Sequence, residues 1–215
     1  MRKISNRHFW NWFIRHQHEF HAFENKPKKE VVYWMDELNM HLRGCSRHLG
    51  FTMEFHKKND SIKLTITAQG KIEHFKKAEA LVAAAPVMQG WVLFALERPR
   101  EIDFLLHEQM KKTCVDPREF CFCFDKSILA ETNLIIYHSM VTEDNMELIY
   151  DLAHEAVYNL LGERNYATEI NSIELANLSM ANDEELIALE MLPQHLGLQS
   201  SGVYVDNEGN LVSLV

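Results

Sequence analysis

The 215-residue sequence is 47% apolar and 25% charged and holds only 8 Gly and 5 Pro, which excludes a disordered or fibrous chain. At this size folding hides roughly 70% of the unfolded surface, enough for a core without covalent staples. The net charge of −9 is uneven: residues 1–112 hold 19 Lys and Arg against 13 Asp and Glu, and residues 113–215 hold 3 against 18. So acidic a second half opposes nucleic acid, whose phosphates need concentrated positive charge.

The predicted elements begin with a helix over residues 7–24. Phe9, Trp12, Phe13, His16, Phe20 and Phe23 recur at steps of three and four there, and Pro27 stops it. A second helix covers 28–48, with Val31, Met35, Leu38, Leu42 and Cys45 on one face and Gly50 beyond its end. Alternation of Phe51, Met53 and Phe55, then of Ile62, Leu64 and Ile66, predicts a hairpin around residues 57–60. A helix over 73–85, buried through Phe75, Ala78, Leu81, Val82 and Ala85, leads to a central strand at 91–96. Residues 102–106 suit a further strand.

The pattern then returns: strands at 120–124 and 133–138, a helix over 144–161 ended by Gly162, and a strand within 167–175. Ile149, Leu152, Ala153, Ala156, Val157 and Leu160 face inward on that helix. A short helix at 183–192 precedes a terminal hairpin at 203–205 and 211–215, open to pairing with another chain. The expectation is therefore an α+β fold over 1–215 as a single domain. Two N-terminal helices precede a mainly antiparallel sheet built from two ββαβ-like units, a pseudo-repeat at 51–97 and 120–175, with helices packed on it.

The basic start, Arg2, Lys3 and Arg7, is followed by an apolar stretch broken at Arg15, His16, His18 and Glu19, so no export signal is expected. No segment reaches the ~18 apolar residues that span a bilayer. Cys45, Cys114, Cys121 and Cys123 read as reduced thiols, and the expected location is the cytoplasm.

Two segments carry a family likeness: Phe9-Trp10-Asn11-Trp12-Phe13, and the run from Leu64 to Gly70 (LTITAQG) continued by Phe75, residues 79–86 (EALVAAAP) and Trp91. Together they resemble a family of small cytosolic bacterial proteins with no assigned activity. The likeness covers the first half well and the second only in element order. It implies a soluble bacterial protein and supplies no catalytic residues.

Chemistry-bearing patterns are incomplete. The first helix carries aromatics on two faces, which makes Trp10, Trp12 and His16 candidates for binding a partner. His16 and His18 point about 200° apart on a helix and cannot share one ion, while His18 and His21 lack further ligands. His154-Glu155 begins a zinc-hydrolase motif whose second histidine is replaced by Tyr158. The hydrolase alternative therefore rests on His138, Asp151, His154 and Glu155 converging in the fold. Cys121 and Cys123 with Cys114 and His107 match no zinc knuckle. There is no Gly-x-Ser-x-Gly, no phosphate loop and no Gly-x-Gly-x-x-Gly. A third class, anionic-ligand binding by the basic half, would use Lys57, Lys58, Arg98 and Arg100. The favoured expectation is a non-catalytic binding or interaction module that is partnered by another protein or a second copy and uses neither cofactor, metal nor membrane.

Overall fold

Ser5 opens the first helix, α1 (Asn6–His21), by accepting a hydrogen bond from the His8 N–H at 3.2 Å, which satisfies one of the donors a helix start leaves free. The computed structural model describes residues 3–56, 61–102, 115–125, 132–181, 186–198, 202–205 and 211–214. Their contacts group into one unit of Met1–Glu97 with Ser201–Val215, and a second of Arg98–Ser200.

In the first unit, α1 presents Phe9, Trp10, Phe13 and Phe20 to the core. Phe13 and Phe20 meet the Trp91 ring edge-on, with centroids 4.8 and 6.2 Å away. The helix α2 (Lys28–Cys45) packs along α1 and buries Leu38 and Leu42. Each such side chain contributes about 1.5–3 kcal/mol by leaving water. The strands β1 (Gly50–His56) and β2 (Ser61–Thr67) pair antiparallel; α3 (Phe75–Ala83) then carries the chain to β3 (Trp91–Ala95), parallel to β2. A parallel neighbour needs such a crossover, because a tight turn cannot reverse the chain twice.

The second unit repeats that order. The strands β4 (Cys121–Phe124) and β5 (Asn133–His138) form an antiparallel pair. The helix α4 (Met146–Glu169) crosses to β6 (Ser172–Asn177), which is parallel to β5. A short β7 (Ile187–Ala188) pairs with β4, followed by the one-turn helix α5 (Leu192–His195). Phe120, Phe122, Leu134, Ile136, Ile149 and Val157 belong to this core. The architecture is α+β: of seven strand pairings among the described residues, two are parallel.

Differences from the sequence reading have local causes. Gly162 does not end α4: it takes φ 70°, ψ 167° and the helix resumes beyond it, so β6 starts at Ser172 rather than near residue 167. The terminal hairpin, β8 (Gly202–Val205) and β9 (Leu211–Leu214), joins the sheet of the first unit and leaves β9 at its edge. Its first strand pairs with β3, opposing Leu93 to Val205 and Phe94 to Tyr204 and covering that edge. Where a helix was expected over 183–192, residues 187–188 are strand β7 and 189–191 a 3-10 turn. Residues 103–106 of the expected linking strand and Asn182–Glu185 lie outside the described residues. No helix of the described residues is long and apolar enough to cross a membrane.

Candidate functional site

Trp10 is not a surface anchor. It is 2% exposed, and its indole N–H donates to the Leu81 carbonyl at 2.7 Å, so the side chain ties α1 to α3. Trp12 and His16 are half-buried in the seam between α1 and α2. Trp12 stacks on His41 at 3.8 Å with the planes 12° apart, His16 lies 5.4 Å from Trp12 and 5.1 Å from Trp34, and the Lys26 ammonium stands 5.9 Å from the Trp34 ring. This ladder of rings joins two helices of the chain itself. His21 packs against Trp91 and His18 pairs with Glu19, so His16, His18 and His21 have separate partners.

The residues of the hydrolase alternative have neighbours of two kinds. His154 bonds through Nε2 to the Tyr166 hydroxyl. Burial raises the Tyr166 pKa, with Tyr150 adding to it, which keeps the phenol protonated. Asp151 and Glu155 are exposed on the same helix. His138 is fully buried at the end of β5, against Phe120. Its Nδ1 accepts from the Met140 N–H at 3.2 Å and its Nε2 lies 3.5 Å from a Glu119 oxygen. Burial lowers its pKa, against the opposing pull of Glu119 and Asp116. Asp116 is itself held low by the guanidinium of Arg118, 2.7 Å away. His138 thus belongs to a neighbourhood of 116–120, and His154 to one of tyrosines.

Cys123 is buried and Cys121 half-buried on β4, while the Cys45 thiol is pushed up to about 11 by burial. Cys114 and His107 lie outside the described residues. Among the described residues no group of three or more His, Cys, Asp and Glu side chains could hold a metal ion. Lys57 and Lys58 are also outside them. Arg100 lines a cavity of about 560 Å³ in the second unit, with Leu160, Leu161, Asn165, Glu190 and Pro193. The volume suits a small organic molecule, but acidic Glu101 and Glu190 beside Arg100 argue against an anion there.

A different surface of the second unit combines exposure with order. Met140, Met146, Leu178 and Met180 are 44, 45, 38 and 67% exposed. The segments that carry them are fastened together by two asparagines. Asn177 Nδ2 donates to the carbonyls of Ser139 (3.1 Å) and Val141 (2.7 Å), and its Oδ1 accepts from the Ser179 N–H at 2.9 Å. Asn145 Nδ2 donates to the Met140 carbonyl at 2.8 Å and its Oδ1 accepts from the Thr142 N–H at 2.7 Å. Glu143, Asp144, Glu147 and Asp151 are exposed on the same turn and helix start.

The outer face of α2 also exposes Val32, Tyr33 and Met40, but among both Lys29 and Arg43 and the acidic Asp36. Of these two surfaces, the methionine surface is the one whose named charged neighbours are all acidic. Sequence reasoning missed it because methionines at 140, 146 and 180 follow no helical period; the available signal was a count of 10 methionines. No protein-family model, no curated protein and no solved structure matches the chain.

Proposed function

We propose that the chain is a non-catalytic interaction module whose second unit binds a basic amphipathic segment of a partner protein on the Met140–Met146–Leu178–Met180 surface. The observation that carries this reading is the exposure of four large apolar side chains on segments that Asn145 and Asn177 hold in place. Thioether side chains adapt to irregular apolar partners because they are unbranched and polarisable. The surrounding carboxylates of Glu143, Asp144 and Glu147 favour lysine and arginine at the rim and speed encounter. An amphipathic helix meets both requirements at once, one face apolar and the other basic.

The test uses a helical leucine–lysine peptide and a control of the same composition with its leucines scattered around the helix, titrated into the full chain by fluorescence anisotropy. The amphipathic peptide is expected to bind at least about tenfold more tightly than the control, and Met146→Ser with Met180→Ser to remove that difference. Equal binding of both peptides, or an unchanged preference in the double variant, would show charge attraction without a recognition surface.

A further inference from the structure

In the first unit, five nitrogen-bearing side chains from separate segments meet. Arg47 and His48 lie in the turn between α2 and β1. Lys71 follows a tight turn after β2, in which Gln69 and Gly70 both take positive φ (57° and 73°) and the Lys71 N–H returns to the Ala68 carbonyl at 3.2 Å. His74 closes a 3-10 turn, Ile72–His74, and Lys77 stands in the first turn of α3. The rings of His48 and His74 stack with centroids 4.4 Å apart and planes 15° apart.

The hydrogen bonding around His48 has one donor too many. Arg47 Nε–H points at His48 Nε2 over 2.8 Å, and the Lys71 ammonium faces His48 Nδ1 at 3.0 Å. A guanidinium cannot accept, so Nε2 must hold the lone pair and the neutral ring carries its proton on Nδ1. That proton then confronts an ammonium, two donors with no acceptor between them. His74 is consistent by contrast: Nδ1 accepts from Lys77 at 3.2 Å, and Nε2 faces Glu73 at 3.9 Å. An oxyanion placed between Lys71 and His48 would supply the missing acceptor, because Lys71 is exposed and its end can swing aside.

We propose that Arg47, His48, Lys71, His74 and Lys77 form a binding site for a phosphate-class oxyanion. Arg47 and Lys71 bracket His48, Lys77 reaches His74 and Glu73 lies beside His74, so the cluster gathers three basic side chains against this carboxylate and attracts a phosphate dianion. The His48 ring is held neutral: burial lowers its pKa most, then Lys71, His74 and Arg47 do so, against a smaller upward pull from Glu73. A bound anion reverses that balance, so occupancy and protonation of His48 are linked. The site lies on a different unit from the methionine surface and is independent of it.

Histidine Cε1–H resonances of the full chain, followed by NMR against pH in chloride and in phosphate at equal ionic strength, test this. In chloride His48 is expected to titrate below the ordinary imidazole range, and phosphate to raise its pKa saturably. Lys71→Gln and Lys77→Gln, both at exposed positions, are each expected to weaken phosphate binding about tenfold with the melting temperature unchanged. Glycerol phosphate is the second ligand. A saturable shift with inorganic phosphate supports a free oxyanion as the natural ligand, and one with the ester alone supports a phosphomonoester. No saturable shift with either, or wild-type affinity in both variants, overturns the proposal.

Discussion

The Tyr166 hydroxyl hydrogen-bonds Nε2 of His154, twelve residues earlier on α4. In a straight helix that separation would place them roughly 18 Å apart. The contact exists because Gly162, at φ 70° and ψ 167°, turns the last part of the helix back so that Tyr166 meets both His154 and Tyr158.

Gly162→Ala is therefore expected to destabilise the protein by at least about 2 kcal/mol. A Cβ there would sit 2.6 Å from the Pro99 nitrogen and 2.8 Å from the Arg98 carbonyl carbon, and the backbone conformation is one side chains rarely adopt. Urea unfolding followed by circular dichroism measures the loss. Wild-type stability in the variant would mean that the kink relaxes at little cost.

Trp10→Phe keeps most of the ring but leaves the Leu81 carbonyl without its 2.7 Å donor. Because the Ala84 N–H still donates to that carbonyl at 3.2 Å, the expected loss is about 0.5–1.5 kcal/mol, against about 3–5 for Trp10→Ala, which also opens a void in the core. Chemical denaturation of the two variants separates these contributions. A peptide-binding defect without a stability loss in Trp10→Ala would contradict the buried, structural placement of this residue.

His138 makes stability depend on pH. Its folded pKa is lowered by burial, so below the ordinary imidazole value of about 6.5 the unfolded chain binds more protons than the folded one. Stability therefore falls as pH drops through about 6.5, and the fall ends once the folded pKa is passed. In His138→Asn, which keeps an acceptor near the Met140 N–H, this contribution disappears. The lowered pKa of His48 acts with the same sign in both proteins, so the difference between their urea midpoints across about pH 8 to 5 isolates His138. Parallel midpoint curves would show that His138 gains its proton without penalty in the fold.

Much of the local structure was legible in the residue pattern. The spacing of Phe9, Phe13 and Phe20 marked the buried face of α1, and the six inward positions read on α4, from Ile149 to Leu160, are all buried. The hairpin–helix–strand order appeared twice in the sequence and is present in both units. Boundaries at Gly162 were misjudged, because a glycine past an apolar run looks the same whether the chain leaves the helix or bends and resumes it.

Periodicity within one segment determined which residues become helix and strand and which face turns inward, since each depends on the local repeat of 3.6 or 2 residues. Only the tertiary structure decided that Trp10 is core while Trp12 lines a seam, that His138 and His154 have different neighbours, and that His48 stacks on His74 with Lys71 beside it. Those outcomes depend on which distant segments the strand pairing and helix packing bring alongside, and no pattern within either partner encodes the other's position.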